Sequence, residues 1–328
     1  MNLPTQADAS LSIGRLLKES QSVLIVAHLR PDGDAIGSIV GMGLALQAGG
    51  KKIQMVLKDP IPARYRFLTG TELIQHAPKE AYDLSIALDC GDLPRLGEFF
   101  NERKPDINID HHITNDNFAK VNLVIPQEVA TSAILAKYLP EWGFPLDGDS
   151  ASALCMGLLT DTNGFRIPTV SPDTLELAAQ LMRQGAPLPE IYQRSLSSQS
   201  LQTSKLWGLS LTKLQMDKGL LWTSITIEDR ELAGYNGRDD AEITNFLTSV
   251  EGCKVAVLFN EQSAEKVKVS WRSRNHIDVA KLAQHYKGGG HPNAAGAEIT
   301  QTLKDAEQEI LRTTQQYIAG EKNFENGS

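Results

Sequence analysis

Short strand-like runs alternate with helix-like segments through the first half of the chain, and this alternation constrains the fold more than any other feature. The runs are rich in Val, Ile and Leu, as in strands buried on both faces, and cover 23–28, 52–57, 83–89 and 105–110. The helix-like segments cover 36–48, 128–139, 150–162 and 171–185. Such alternation is typical of βαβ units, so we predict an α/β fold whose N-terminal part is a mainly parallel sheet with helices on both faces.

The character of the chain changes after residue 185. The segment from Pro187 to about Leu214 is rich in Ser and Gln and lacks strand-like runs, so we interpret it as a helical linker. Beyond it, strand-like runs and helix-like segments indicate a smaller C-terminal α/β domain; they cover 219–227, 253–260, 265–273, 239–248 and 277–285. The predicted organisation is therefore a larger domain, a linker and a smaller domain, over 1–190, 191–213 and 214–328.

The composition narrows the class of partner. Lys and Arg number 32 against 40 Asp and Glu, and proteins that wrap long duplex DNA usually carry a strong basic excess. We expect no binding to long duplex DNA, whereas a short anionic substrate needs only a few local cations. The three cysteines form no CxxC pair, and neither a signal-peptide pattern nor a long apolar run is present. We expect a cytoplasmic protein with no membrane partner.

A first cluster of candidate ligands follows the first strand-like run, in the sequence AHLRPDGDAIGS. His28 stands at the end of the strand, and Asp32 and Asp34 lie in the turn before a helix. Ligands of open α/β sheets bind outside the carboxyl ends of the strands, so these side chains converge where a ligand is expected. An Asp-rich turn that caps the helix, with a histidine nearby, is the alternative for this segment alone.

Three further clusters follow the same rule. Asp89 ends a strand-like run in ALDCGD, and Asp110, His111 and His112 end the next one in NIDHH. Adjacent residues of an extended segment point to opposite sides, so one histidine can bind a metal while the other faces substrate. Asp161 interrupts an apolar helix-like segment, where a buried carboxylate needs a partner such as a metal. A helix cap, surface histidines and a solvated helix end are the respective alternatives.

Together, these clusters deliver carboxylates and imidazoles in one topological direction and include no thiolate. Hard oxygen ligands with one or two imidazoles favour Mn²⁺ or Mg²⁺ over a structural zinc site. A bridging carboxylate with flanking ligands is the arrangement of two-metal hydrolases that act on phosphate esters. The residues therefore predict a two-metal phosphoesterase, whose candidate ligands are His28, Asp32, Asp34, Asp89, His111 and Asp161.

The smaller domain carries a fifth cluster. Three glycines at 288–290 precede His291, and Arg272 and Arg274 end a strand-like run. Consecutive glycines let a backbone approach a ligand closely and expose N–H groups, as in a phosphate-binding nest. Alternation places the two arginines on the same face of their strand, and Arg suits bidentate recognition of phosphate. A flexible glycine loop beside solvated arginines is the alternative.

The motifs HLRPDGDAIGS, ALDCGD, IDHH and LLTDT, followed by RSR and GGGHPNAAG, resemble those of the DHH phosphoesterase superfamily. The resemblance extends in order from about residue 15 to 300, and it is strongest to the short bacterial branch with a DHH-associated C-terminal domain. That branch is the nanoRNase and phosphoadenosine-phosphate phosphatase type. The resemblance implies two Mn²⁺ per chain, with Mg²⁺ or Co²⁺ as alternatives. It also implies hydrolysis of oligoribonucleotides of a few residues to mononucleotides, and of 3′-phosphoadenosine 5′-phosphate.

The resemblance further implies a role for each site residue. The first ion would be held by His28, Asp32 and Asp89. The second would share Asp89 and be held by Asp34, Asp89, His111 and Asp161. The catalytic pair would be His112, near the reacting phosphate, and Asp110, which orients the histidines. The substrate would be held by Gly289, Gly290, His291 and either Arg272 or Arg274.

Several functions stay open at this point. A stand-alone cyclic-dinucleotide or linear-dinucleotide phosphodiesterase would share the catalytic core. An inorganic pyrophosphatase shares the metal motifs, but its C-terminal domain lacks GGGH. A non-hydrolytic nucleotide sensor is the alternative of a different class, and intact ligands at every metal position argue against it. The expected partners are short single-stranded oligonucleotides or small phosphorylated nucleotides, and a second copy of the chain in a homodimer.

Overall fold

The computed structural model describes residues 5–100, 103–239, 243–273 and 277–320. The chain divides into two compact units, Met1–Ser198 and Gln199–Ser328. The first unit contains a five-stranded sheet and the second a six-stranded sheet, and both units also contain helices. The predicted α/β class, with a parallel N-terminal sheet and a smaller C-terminal α/β unit, is confirmed. Within the described ranges, no helix combines the length and the hydropathy of a membrane span.

All five strands of the first sheet are parallel. They are β1 (Ser22–Ala27), β2 (Lys52–Val56), β3 (Leu84–Leu88), β4 (Ile107–Asp110) and β5 (Val121–Val124), in the order β2-β1-β3-β4-β5. The fifth strand has no counterpart among the predicted runs. It is a four-residue edge strand with only one fully buried side chain, so it accommodates the polar Asn122 and lacks a continuous apolar run.

The helices of the first unit pack on its parallel sheet and share a hydrophobic core with it. They are α1 (Gln6–Glu19), α2 (Gly33–Ala48), α3 (Thr131–Glu141), α4 (Gly148–Asp161), α5 (Pro172–Arg183) and α6 (Leu188–Tyr192). The second helix begins three residues before the predicted segment, because the Asp32 carboxylate accepts the N–H of Asp34 at 3.1 Å and of Ala35 at 3.0 Å. Asp34 therefore lies in the first turn of α2, and the prediction that it lies in the preceding turn was wrong.

Glycines allow α2 and α4 to pack closely. A Cβ on Gly37 would lie 2.5 Å from a carbonyl oxygen of α4, and a Cβ on Gly33 would lie 2.3 Å from the Thr160 hydroxyl oxygen. These contacts pair the start of α2 with the end of α4, so the two helices run antiparallel. The antiparallel packing brings Asp34, in the first turn of α2, to the level of Asp161, the last residue of α4.

The second unit is built on a mixed sheet in the order β10-β11-β9-β8-β7-β6. Its strands are β6 (Gln215–Asp217), β7 (Leu220–Ile225), β8 (Val255–Ser263), β9 (Lys266–Ser273), β10 (Gly289–His291) and β11 (Ala294–Ile299). Its helices are α7 (Leu201–Leu211), α8 (Ile227–Ala233), α9 (Ile243–Leu247), α10 (Val279–His285) and α11 (Leu303–Ile318). Only β7 and β8 pair in parallel; the other neighbours are antiparallel. The chain before α7 forms a π-helical turn at Gln193–Ser197.

Candidate metal centre

Histidine and aspartate side chains converge at the carboxyl ends of β1, β3 and β4. They form three overlapping groups in which the potential ligand atoms lie within 4.8 Å of one another. The groups are His28–Asp32–Asp89, Asp34–His111–Asp161 and Asp89–His111–His112. All six residues predicted as metal ligands occur in these groups. The assignment of each residue to a particular ion stays a prediction.

Asp89 belongs to two of the groups and lies between two histidines. It directly follows β3, its N–H donates to the carbonyl of Ile109, and its φ of 54° is in the left-handed region that few residues other than glycine adopt. The buried carboxylate accepts a hydrogen bond from the Thr131 hydroxyl at 3.0 Å. Its Oδ2 lies 3.5 Å from Nε2 of His28, and its Oδ1 lies 3.8 Å from Nε2 of His111. The strained turn thus directs the carboxylate between imidazoles that follow β1 and β4.

Backbone carbonyls orient both of these imidazoles. Nδ1 of His28 lies 2.9 Å from the carbonyl of Leu29, and Nδ1 of His111 lies 3.3 Å from the carbonyl of Glu128. A carbonyl can only accept, so Nδ1 carries the proton and Nε2 faces the carboxylates. Although burial disfavours the charged ring, hydrogen bonds to Asp32 and Asp89 raise the pKa of His28 to about 10. This orientation is typical of metal-binding histidines.

The N-terminus of α3 binds the carboxylate of Asp34. The backbone N–H groups of Thr131 and Ser132 donate to it at 2.7 and 3.0 Å, and a helix N-terminus carries a partial positive charge. Even so, burial and the charges of Asp89 and Asp161 raise the pKa of Asp34 well above its usual value. The side chain is almost fully buried, so bulk water does not relieve this repulsion.

Asp161 completes the acidic side of the cluster. Its Oδ2 lies 3.3 Å from Nε2 of His111. Burial, followed by the negative charges of Asp89 and Asp32, raises the pKa of Asp161 to about 7. Carboxylates that burial and mutual repulsion drive towards neutrality are stabilised in the ionised form by a bound cation. The oxygen and imidazole ligands, without a thiolate in any group, fit Mn²⁺ or Mg²⁺.

Asp110 and His112 form a hydrogen-bonded pair beside the cluster. Nδ1 of His112 donates to Oδ1 of the buried Asp110 at 2.7 Å, and Nδ2 of Asn115 donates to Oδ2 at 2.6 Å. Burial opposes ionisation of Asp110, but the bond from His112 lowers the pKa of Asp110 below its usual value. The same bond raises the pKa of His112. Because the His112 side chain is 37% exposed, its Nε2 is the nitrogen available to a substrate.

Three residues that hold the site in place were missed from the sequence. Thr131 and Ser132 bind the carboxylates of Asp34 and Asp89, and Asn115 binds that of Asp110. The helix predicted from residue 128 would place the N–H groups of Thr131 and Ser132 inside the helix. The prediction therefore left these groups no freedom to bind a carboxylate. The polar Thr-Ser pair at the start of an otherwise apolar segment is the signal that indicates the true helix start.

The glycine motif of the second unit leads into the edge strand β10, which pairs with β11. The sequence predicted a phosphate-binding nest here, whereas the observed backbone is an extended strand. Gly288 and Gly290 are required by packing, because a Cβ on them would lie 2.2 and 2.4 Å from carbonyl oxygens of β11. A Cβ on Gly289 would meet no atom within 4 Å, and His291 is exposed. The segment therefore presents an open backbone face at the edge of the sheet.

The strand register brings one predicted arginine into line with this motif. His291 pairs with Ala294, and Ala294 pairs with Arg272, so the three side chains form one cross-strand row. Arg272 is half-buried, and its guanidinium donates to the carbonyl of Trp271 at 3.1 Å. Arg274, the other predicted phosphate ligand, lies outside the described residues.

Comparison with known proteins gives the family. The model of the DHH family N-terminal domain matches residues 22–158, and that of the DHHA1 domain matches residues 230–320. A Thermus thermophilus protein named bifunctional oligoribonuclease and PAP phosphatase NrnA is 34% identical over 293 residues, which cover 88% of this chain and 87% of the relative. The chain belongs to the DHH family. The resemblance inferred from the motifs is thereby confirmed.

Three further proteins resemble this chain in sequence or in fold. The Bacillus subtilis protein of the same name is 24% identical over 301 residues, covering 87% of this chain and 91% of the relative. An exopolyphosphatase-related protein of Bacteroides fragilis has a TM-score of 0.87 at 22% identity and covers 98% of this chain and 100% of its own. Thermus thermophilus RecJ in complex with Mn²⁺ has a TM-score of 0.53 at 15% identity, covering 98% and 55% respectively. These solved structures support the fold.

Proposed function

We propose that this DHH-family protein is a metal-dependent phosphodiesterase that hydrolyses short oligoribonucleotides to mononucleotides. The observation that carries the proposal is the set of three overlapping ligand groups, in which Asp89 is common to two groups and His111 is common to two. The names of the Thermus and Bacillus relatives, which match over most of their length, support the substrate class and add 3′-phosphoadenosine 5′-phosphate as a second substrate. We assign catalysis to the domain before residue 190 and substrate binding to the domain after 214.

Two ions would share the Asp89 carboxylate. The first would be held by His28, Asp32 and Asp89. The second would be held by Asp34, Asp89, His111 and Asp161. Such a pair, when bound, lowers the pKa of a shared water towards neutrality and neutralises charge on the phosphate oxygens. Mn²⁺ is the proposed ion, with Mg²⁺ and Co²⁺ as alternatives, because the ligands are carboxylates and imidazoles.

His112 is the residue that we assign to proton transfer. Its Nδ1 is fixed by Asp110, whose low pKa keeps it ionised and able to stabilise the positively charged ring. The exposed Nε2 then donates a proton to the oxygen that leaves the phosphorus, which stabilises the departing alkoxide. Asn115 holds Asp110 in place through the second carboxylate oxygen, so the histidine keeps one orientation during the reaction.

The second unit supplies the proposed substrate-binding residues. Gly289 leaves the backbone of β10 open to a phosphate or ribose, and His291 and Arg272 lie in one row beside it. Gly290 and Arg274 belong to the same proposal, on the family pattern of the motif. A guanidinium and an imidazole next to accessible backbone N–H groups are well suited to bind a terminal phosphate.

A substrate panel tests this function. Purified protein with Mn²⁺ is incubated with pApA, longer RNA, 3′-phosphoadenosine 5′-phosphate and inorganic pyrophosphate, and products are separated by chromatography. We expect AMP from pApA, slower turnover of longer RNA and no phosphate from pyrophosphate. The Asp89→Ala variant, purified in parallel, should release no AMP, which excludes a contaminating nuclease. Absence of AMP from wild-type protein with Mn²⁺, Mg²⁺ and Co²⁺ would contradict the proposal.

A further inference from the structure

A pocket of about 300 Å³ in the second unit is lined by cations, amides and two apolar residues, and none of its lining residues in the described ranges is a carboxylate. It lies where the turn between β6 and β7, the residue before β8 and the end of α11 meet. Its polar lining residues are Lys218, Lys254, Arg312, Gln315 and Gln316. The β6 edge is opposite to the β10 edge in the six-stranded sheet, so this pocket is separate from the glycine motif.

The charges of the three cations in the pocket are not balanced by ion pairs in the part of the chain that the structure describes. Within the described ranges, neither Lys218, Lys254 nor Arg312 forms an ion pair with a carboxylate. Asp217, the acidic residue adjacent to Lys218, accepts a hydrogen bond from Gln315 at 2.5 Å. Like charges that converge repel one another, and the chain as a whole carries a net charge of −8. A basic pocket on an acidic protein is therefore a local feature that a bound anion would stabilise.

The backbone of the β6–β7 turn is unfavourable for the residue that it carries. Lys218 and Gly219 have φ values of 48° and 88°, the left-handed pair of a two-residue hairpin turn. Asn, Asp or Gly is preferred at the first of these positions, so a lysine there costs free energy that the turn itself does not require. The geometry of the turn therefore does not account for the lysine at this position.

Lys254 is held by the same turn. Its N–H donates to the carbonyl of Gly219 at 2.8 Å, and its side-chain carbons lie 3.0 Å from where a Cβ of Gly219 would be. The lysine stem therefore packs on the glycine of the turn that carries Lys218. Lys218 and Lys254 thus line the pocket together with Arg312 of α11, and all three side chains are exposed to solvent.

We propose that Lys218, Lys254 and Arg312 form a binding site for a phosphate-bearing anion. A guanidinium binds two phosphate oxygens at once, and two ammonium groups and the glutamine amides supply the remaining donors. The pocket volume is at the small end of the range for ligand sites, about 300 Å³ upwards, so it suits a compact group with one or two phosphates. The same chemistry occurs in a free phosphorylated molecule and in one step of a nucleic acid strand.

Calorimetry with inorganic pyrophosphate tests the site in the full-length, metal-free protein with EDTA. We expect pyrophosphate to bind, with roughly tenfold or greater loss of affinity in a variant that combines Lys218→Asn, Lys254→Gln and Arg312→Gln. Asparagine suits the left-handed turn, so this variant keeps the hairpin. A control variant combines Lys205→Gln, Lys268→Gln and Lys304→Gln, which make the same change in net charge at exposed positions outside the pocket.

Three results would overturn the proposal: no pyrophosphate binding to wild type, undiminished binding to the pocket variant, or equal losses in both variants. Titrations with AMP and with single-stranded oligoadenylate distinguish the sources of phosphate. A larger loss of strand binding than of AMP binding in the pocket variant, with a steeper dependence on salt, identifies nucleic acid as the ligand, whereas equal losses identify free nucleotides. The pocket variant should hydrolyse pApA at the wild-type rate, because its substitutions lie outside the proposed catalytic and substrate-binding residues.

Discussion

Ionised carboxylates of the candidate metal centre destabilise the folded protein, and a bound cation would offset this cost. Asp34 is buried and Asp161 is half-buried near Asp89, and the pKa values of both rise because burial penalises their charged forms and because neighbouring carboxylates repel them. Hydrogen bonds from the start of α3 compensate only part of this cost. A group of carboxylates that the fold keeps in this condition indicates a binding function, since a stability-optimised core would exclude them.

The pair of Asp110 and His112 gives a prediction at the same scale. In Asp110→Asn, the amide cannot stabilise a positive imidazole ring, so proton transfer by His112 should become inefficient. We expect kcat for pApA to fall about 100-fold or more while KM changes little, as for other partners that orient a reactive histidine. Steady-state kinetics over a range of pH measures the effect.

Metal binding serves as the control for that variant. Asp110 is absent from all three ligand groups, so Asp110→Asn should bind as much Mn²⁺ as wild type. A kcat within threefold or so of wild type would show that the Asp110 carboxylate does not support the reaction, given that such partners usually contribute tenfold or more.

Elements position these side chains, and the contact of α2 with α4 is the critical one. A Cβ on Gly157 of α4 would lie 2.6 Å from the Ser132 hydroxyl and 2.7 Å from Oδ1 of Asp34. We expect Gly157→Ala to cost about 1–3 kcal/mol of unfolding free energy, because the helices must separate, and to weaken Mn²⁺ binding because Asp34 moves. Gly208→Ala is the matched control. A Cβ on this glycine of α7 would meet no atom within 4 Å, so that variant should be more stable by about 0.5–1 kcal/mol.

Chemical denaturation of both variants distinguishes packing from helix propensity. If packing governs, the two alanines act in opposite directions, as predicted. Equal stabilisation of the protein by both substitutions would show that α2 and α4 tolerate a larger separation than the structure indicates.

The start of β4 is tied to its neighbours by Asp106. Its carboxylate accepts from the N–H and hydroxyl of Ser85 at 2.9 and 2.7 Å and from Nζ of Lys120 at 2.7 Å. Burial raises the pKa of Asp106, but the bonds from Lys120 and Ser85 outweigh it, so the pKa is lowered from 3.8. A lowered pKa stabilises the folded protein above the unfolded value, and this stability is lost as pH falls through the lower, folded value.

Asp106→Asn should therefore be less stable than wild type by about 1 kcal/mol at neutral pH, since Lys120 is exposed and water screens its charge. The difference should shrink as the pH falls below about 3.8. Urea denaturation of both proteins at a series of pH values measures it. A difference that stays constant down to strongly acid pH would contradict the assignment of this stability to the ionised carboxylate.

The predictability of elements from sequence follows their burial. β1 and β3 are buried on nearly every side chain, so their apolar runs are continuous and predict them within a few residues. β10 and β11 consist mainly of Gly and Ala, which carry little strand signal, and β11 depends on its pairing with β9. Helix α1 was not among the predicted elements, although its sequence carries a helical signal. The apolar Ala9, Ile13 and Leu17 recur every four residues among polar ones.

For the whole molecule, the site was more predictable than the packing around it. Asp89 and the DHH motif follow strands, and the topology of a parallel sheet brings strand ends together, so local sequence was sufficient to predict their convergence. The contacts of Asp34 with α3 join residues 97 and 98 positions apart in the chain, and no local pattern encodes them. The two family models match separate parts of the chain, residues 22–158 in the first unit and residues 230–320 in the second.

Mn²⁺ titration of the metal-free protein, followed by electron paramagnetic resonance of the free ion, tests the central proposal that two ions share Asp89. Wild type should bind two ions per chain, His28→Gln should lose one, and Asp89→Asn should lose tight binding of both. Circular dichroism confirms that each variant is folded. Bound Mn²⁺ should also raise the Tm of wild type more than that of Asp89→Asn, because a ligand of the folded state stabilises it. Two tightly bound ions in Asp89→Asn, or none in wild type, would contradict a metal pair built on this carboxylate.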